Sequence, residues 1–240
     1  MGTIYEAILS AKKESRKLLA ILLDPDKINW ETLGLLSQKI NASPASHIFI
    51  GGSHVATPRI SELVSFFKKA CDVPVILFPG NPSQISDRAD GILFLSLLSG
   101  RNPDFLVGHH VQAAPILAKT GLEILPTGYL LIESGSETAV ARVSKTTPMP
   151  VSDVETIIHT AMASEMLGHK LLYLEAGSGA ASAVPPDIIK EVSGCISIPL
   201  IVGGGIRTGQ GIEAAFQNGA DLVVIGTAFE NDIHFFDTKP

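Results

Sequence analysis

The sequence predicts an α/β fold in which eight parallel strands and their crossover helices close into one barrel, a modified (β/α)8 or TIM barrel with a shortened or missing third helix. Three observations lead there. Short apolar runs alternate with segments of helical period along the 240 residues, the pattern of a buried parallel sheet. The last two runs lie within residues 199–229 (PLIVGGGIRTGQGIEAAFQNGADLVVIGTAF) and both end in glycine; turns after strands seven and eight of such barrels often take a phosphate. Hydrophobic residues make up 45% and charged residues 18%, enough apolar material for a large core and too little charge for disorder. One domain spanning 1–240 is the economical reading, and an open doubly wound sheet is the alternative.

Taken in order, a leading helix is expected over 3–16, where Tyr5, Ile8 and Leu9 recur at helical spacing. Residues 18–23 read as the first strand, stopped by Pro25. A helix over 30–40 places Trp30, Leu33, Leu36 and Ile40 on apolar positions, and the second strand, 46–50, ends in Gly51-Gly52-Ser53. Thr57-Pro58 has the form of an N-cap followed by proline at the first helical position, opening a helix through Ile60, Leu63, Val64 and Phe67. The third strand, 73–78, is followed after only about twelve residues by the fourth, 91–95. A parallel crossover needs about a dozen residues or more, so this is where a helix should be short or absent.

A helix from 102 to about 118 comes next. Residues 123–125 and 129–132 flank Pro126-Thr127-Gly128, which suits either one bent fifth strand or a strand plus an extra one at the mouth. Residues 134–150 read as a long polar loop, and long loops in compact domains are often functional. A helix over 151–167, a sixth strand over 171–175 and a helix over 186–193 lead into strands seven and eight. Between those two strands lies a helix closed by Asn218-Gly219, and a last helix is expected over 228–236.

The formal net charge is −6 and Lys and Arg do not cluster, which argues against a nucleic-acid partner. Cys71 and Cys195 are far apart, so neither a disulfide framework nor a thiolate zinc site is expected, and a cytoplasmic location fits. The apolar run 18–23 is too short for a signal sequence or a transmembrane segment. Mean hydropathy is nevertheless +0.31, a value that an apolar ligand or a subunit interface would explain.

A barrel collects at one mouth the residues that follow its strands. Here those are Asp24 and Asp26, Gly51 to Ser53, Pro79-Gly80, Glu133, Glu175 to Gly179, Gly203 to Gly205 and Gly226-Thr227. Carboxylates, glycines and hydroxyls suit acid–base and metal chemistry on a phosphorylated compound. Asp24 is the better candidate ligand for a hard cation such as Mg2+; capping of the helix near residue 29 competes for Asp24 and more strongly for Asp26. Glu175 between Leu174 and Ala176 should be desolvated, raising its pKa toward that of a useful base, with an ion pair to a loop cation as the competing reading. Glu133 reads as a solvated or lid residue. Neither GxGxxG in a dinucleotide context nor GxxxxGK[ST] occurs. Adjacent His109 and His110 point about 100° apart on a helix, which reads as two ordinary helix residues and not a shared metal site.

Seven motifs in order are LLDPDK (22–27), GGS (51–53), LFPGNP (77–82), YLLIESGS (129–136), YLEAGSGA (173–180), VGGGIRT (202–208) and VVIGTAFE (223–230). Together they resemble the geranylgeranylglyceryl phosphate synthases, in particular their second group, and the related heptaprenylglyceryl phosphate synthases. The resemblance implies a Mg2+-dependent prenyltransferase that joins glycerol 1-phosphate to a long-chain prenyl diphosphate through an ether, on a modified TIM barrel with an irregular third helix. It implies that Asp24 and Ser53 ligate the Mg2+. It also implies that Tyr173, Leu174, Glu175, Ala176, Gly177, Ser178 and Gly179, with Gly204, Gly205, Gly226 and Thr227, hold glycerol 1-phosphate, with Glu175 as base and Tyr173 beside it in catalysis. A homo-oligomer, dimer or hexamer, is implied as well, and peripheral contact with a membrane is compatible.

One departure stands out. Some members carry Lys two residues before the first Asp of DPD, where this chain has Leu22, so backbone amides are expected to carry more of the phosphate binding. Leu97, Leu98, Phe105, Tyr129 and Leu130 are candidates to line a lipid groove, with ordinary core packing as the competing reading. Prenyl chain length stays open, heptaprenyl being one alternative to geranylgeranyl. An isomerase or aldolase on a phosphorylated sugar, or a flavin- or phosphate-binding barrel without catalysis, are the rival functions.

Overall fold

The computed structural model describes residues 3–237. Eight strands, β1 (Leu18–Leu23), β2 (His47–Ile50), β3 (Val75–Leu77), β4 (Gly91–Leu97), β5 (Glu123–Leu131), β6 (Leu171–Glu175), β7 (Leu200–Gly203) and β8 (Leu222–Ile225), pair in sequence order into a closed barrel. All pairs are parallel, and β8 returns to β1 with Leu18 opposite Leu222 and Ile21 opposite Ile225. Successive side chains on a strand face opposite ways. Leu19, Ile21 and Leu23 therefore join the layer under the helices, while Leu18 and Ala20 join the barrel interior with Phe49, Ile76 and Tyr173.

The helices are α1 (Ile4–Lys13), α2 (Leu33–Ala42), α3 (Ile60–Ala70), α4 (His109–Leu117), α5 (Ala139–Ser144), α6 (Val154–Met166), α7 (Pro186–Cys195), α8 (Gly209–Gln217) and α9 (Thr227–Asn231). Helix α1 begins with a capping box between Thr3 and Glu6 and seals the N-terminal end of the barrel. Ile8 and Ala11 pack into the interior. Glu123 at the start of β5 accepts the Ile4 and Tyr5 N–H groups at 2.6 and 2.9 Å, and Lys12 pairs with Asp221 at 2.8 Å. Both ends of the plug are thus fixed to the barrel rim.

The crossover between β3 and β4 is reduced to one 3-10 turn, Pro82–Gln84, as its length required. Asn81 starts it by accepting the Ser83 N–H at 2.9 Å, and the buried Gln84 amide donates to the Gly52 carbonyl at 2.9 Å. Several expectations are resolved or changed in detail. Residues 123–131 are one strand that runs through Pro126 and Gly128. Gly128 is required there because a methyl group would overlap the Ser164 hydroxyl of α6. The polar stretch 134–150 contains α5, since Thr138 caps it by accepting the Ala141 N–H. The last helix stops at Asn231, short of 236, because Asp232 is extended at φ −142°. The expected helix from 102 opens with a wide π turn, Asp104–Gly108, before α4. No helix among the described residues is long and apolar enough to cross a membrane, and Cys71 and Cys195 are both free.

Candidate active site

The C-terminal ends of the strands surround a cavity of about 720 Å3 with a polar floor and an apolar arm. Glu175 is the last residue of β6 and is only 5% exposed. Burial raises its carboxyl from the ordinary 4.5 to about 7, against the opposing effects of the Gly177 N–H, which donates to it at 2.6 Å, and of the nearby Tyr173 hydroxyl. Tyr173, two residues earlier on the same face, is fully buried. It stacks on Phe78 with ring centroids 5.4 Å apart and planes 6° from parallel. Its hydroxyl lies close enough to the Glu175 carboxylate to influence it but makes no hydrogen bond of good geometry, although buried polar groups are generally satisfied.

The glycine turns close around these two side chains. Gly204 has φ +79°, and a methyl group there would overlap the Glu175 carboxylate and lie 2.5 Å from the Gly177 nitrogen. Only glycine lets the β7 turn come this near the β6 turn. Gly177, Ser178, Gly179, Gly204, Gly205 and the Gly226-Thr227 pair all line the cavity. Leu174 and Ala176 do not: alternation turns them into the layer under the helices, fully buried, so they can serve the site through backbone alone. Arg207 stitches the turns together by donating to the Ala181 and Ala180 carbonyls at 3.1 and 2.5 Å.

Across this floor, Asp24 and Ser53 both line the cavity. A Cβ at Gly52 would sit 3.4 Å from the Asp24 carboxyl, so the end of β2 lies directly against that side chain. Asp24 accepts the Asp26 N–H at 3.1 Å and donates its own N–H to Glu230 at 2.9 Å. Asp26 clasps the loop after β2 by accepting the Ala56 and Thr57 N–H groups at 2.7 and 2.9 Å. The helical segment near residue 29 is capped by Asn29, so neither aspartate serves as its cap. Lys27 stands 3.3 Å from Asp24 and 3.4 Å from Glu230. Burial opposes its charge, but the two carboxylates outweigh that and raise its pKa. Burial also raises the pKa of Glu230.

Among the described residues no three His, Cys, Asp or Glu side chains come together as a metal site. One carboxylate and one hydroxyl at the mouth fit Mg2+ taken up together with substrate phosphates, which is how that ion is usually bound.

The apolar arm runs outward between β4 and the π turn, where Ile92, Phe94, Phe105 and Ala113 line it. Leu97 and Tyr129 line the cavity as expected, whereas Leu98 and Leu130 belong to the layer under the helices. His109 and His110, both on α4, also line it. His110 Nε2 contacts the Leu95 carbonyl at 2.8 Å, its ring lies 4.2 Å from that of Phe94, and burial lowers its pKa. Glu133 stays outside, accepting the Val151 N–H at 3.4 Å. Lys27, Arg207 and Glu230 are the site residues that sequence patterning passed over. Each had a signal in its place within a motif, Lys27 in LLDPDK, Arg207 in VGGGIRT and Glu230 in VVIGTAFE.

A buried carboxylate with a raised pKa, glycine turns after three consecutive strands and an apolar arm define a (β/α)8 barrel whose mouth joins a polar site to an apolar one. Comparison with known proteins narrows this. The chain belongs to the PcrB family, whose model matches residues 11–239. It is 61% identical over 99% of its length to the geranylgeranylglyceryl phosphate synthase of Flavobacterium johnsoniae, covering 98% of that protein. It is 51% identical over 96% of its length to the enzyme of the same name from Zunongwangia profunda, covering 98% of it. The structure superposes with a TM-score of 0.92 and 34% identity on (S)-3-O-geranylgeranylglyceryl phosphate synthase from Thermoplasma acidophilum in complex with its substrate sn-glycerol-1-phosphate, covering 99% of this chain and 95% of that one.

Proposed function

We infer that the chain is a Mg2+-dependent prenyltransferase that joins sn-glycerol 1-phosphate to geranylgeranyl diphosphate, giving geranylgeranylglyceryl phosphate and diphosphate. The observation that carries this reading is Glu175, a buried carboxylate with a pKa near 7 set inside glycine turns at the head of an apolar arm. The glycine turns after β6, β7 and β8 offer backbone N–H groups to the acceptor's phosphate. Held there, the acceptor turns its far hydroxyl toward Glu175. The carboxylate takes the hydroxyl proton as the oxygen attacks C1 of the prenyl group, and the bond from C1 to diphosphate breaks with its electron pair leaving on diphosphate. The unpartnered Tyr173 hydroxyl is available to bond and orient the acceptor.

Asp24 and Ser53 would hold Mg2+, which when bound neutralises the charge of the leaving diphosphate. The hydrocarbon tail takes the apolar arm, where each buried CH2 contributes about 0.8 kcal/mol. An aldolase reading is disfavoured because Lys27, the one lysine among the described residues that lines the cavity, is kept charged by two carboxylates, whereas a Schiff-base lysine must be neutral to attack.

The test offers radiolabelled glycerol 1-phosphate with C15, C20 and C35 prenyl diphosphates and sizes the lipid product. Ether formation fastest with C20, and slower by roughly 10²- to 10⁴-fold in Glu175→Gln with the acceptor KM within a few-fold, is the expected result. Undiminished turnover in Glu175→Gln would remove its role as base.

A further inference from the structure

A phosphate monoester brings nearly two negative charges into the glycine turns, and the residues around them supply little positive charge. Leu22, whose side chain packs 3.5 Å from a Cβ placed on Gly226, puts a hydrocarbon where β1 meets the β8 turn. Among the described residues, the lysine and arginine side chains lining the cavity are Lys27, Arg142 and Arg207. Arg207 is committed to the Ala180 and Ala181 carbonyls. Arg142 is on α5, which follows β5, across the barrel from β1 in the closed strand order.

Lys27 is placed differently. It leaves the loop after β1, and its ammonium stands 3.4 Å from the Ser178 hydroxyl of the β6 turn while resting between Asp24 and Glu230. It therefore spans the distance from the metal-ligand candidate to the phosphate cradle and touches residues on both sides. Its side chain is 45% exposed, against 9% for Glu230, so the lysine is the partner with room to move.

We propose that Lys27 is the side-chain cation for the acceptor's phosphate, resting on Asp24 and Glu230 in the free enzyme and turning its ammonium to a phosphate oxygen beside Ser178 when glycerol 1-phosphate binds. The same movement frees Asp24 Oδ2, so acceptor binding and the availability of Asp24 are linked. Glu230 remains behind as the fixed partner that holds the Asp24 backbone N–H. This assignment rests on the reading of the cradle as a glycerol phosphate site, and it supplies the charge that Leu22 does not.

The experiment compares the wild-type enzyme with Lys27→Met and Lys27→Arg in two measurements. Steady-state kinetics gives separate KM values for the two substrates, and calorimetric titration with glycerol 1-phosphate alone gives its affinity without turnover. Loss of a charge-assisted contact should weaken acceptor binding roughly 10- to 100-fold in Lys27→Met, with the prenyl diphosphate KM within about twofold and partial recovery in Lys27→Arg. Unchanged acceptor affinity in a folded Lys27→Met overturns the assignment, and so does an equal loss for both substrates, which would place the charge on the diphosphate side. Thermal unfolding of each variant separates either outcome from misfolding. Failure of the wild-type protein to bind glycerol 1-phosphate or form the ether would overturn the function itself, and is thereby distinguished from failure of this role for Lys27.

Discussion

Glu175 shows how one residue's surroundings set its chemistry. The carboxyl is buried at the end of β6 with one N–H bond from Gly177, and desolvation prevails, leaving its pKa near 7. In the proposed role of base it must be deprotonated, so kcat/KM should fall about tenfold per pH unit below pH 7 and level off above it; a pH–rate profile flat between 5.5 and 8 would contradict this. Stability has the opposite sense. The unfolded chain releases this proton near 4.5 and the folded protein near 7, so the folded state binds more protons between those values. The stabilisation is fully present below 4.5 and is lost as pH rises through 7. Urea midpoints at pH 5 and pH 8 should differ less in Glu175→Gln than in the wild type. The position of Glu175 was readable because a charge set between apolar residues at a strand end costs desolvation that packing alone does not repay. The orphan hydroxyl of Tyr173 was not, since it depends on Phe78 and Gly203 from distant strands.

At the scale of elements, the sequence reading was strongest where period and punctuation agree. Every strand was anticipated, and so was the shortened crossover after β3, because about twelve residues cannot return a chain through a full helix. It was weakest where one residue type has two uses. Ser and Thr in 134–150 signalled a loop, yet Thr138 caps α5; Pro126 and Gly128 left one bent strand and two separate strands both open, and β5 runs through both. Gly128 is there for packing of α6 against β5, a tertiary contact that leaves no mark on local sequence. Gly128→Ala should therefore destabilise by about 1–3 kcal/mol, and by less in a Ser164→Ala background because the overlapping hydroxyl is gone. Chemical denaturation of the four proteins in that cycle checks it, equal costs in both backgrounds being the contrary result. The π turn before α4 likewise left no periodic trace, although it shapes the outer wall of the apolar arm.

Across the whole molecule, the barrel is open at one end and plugged at the other. Glu123 and Asp221 fix the two ends of α1, so removing either should loosen the same docked helix. Glu123→Gln is expected to cost about 1 kcal/mol through the weakened cap. Combined with Asp221→Asn the two costs should fall short of additive, because a plug already loosened at one end loses less at the other. Denaturant midpoints and amide exchange of α1 measure this; strict additivity would mean that the ends act independently.

The closure of β8 on β1 also bears on how the chain is made. Leu18 waits for Leu222, and Ile21 for Ile225, so β1 keeps one unpaired edge until β8 has been synthesised. An exposed apolar edge strand invites pairing with other chains, and such long-range contacts form slowly. At about 5–20 residues per second of synthesis, that edge persists for roughly ten seconds or more on every ribosome. A nascent chain halted near residue 215 should be held by chaperones or aggregate, whereas one released beyond residue 225 can close its own edge.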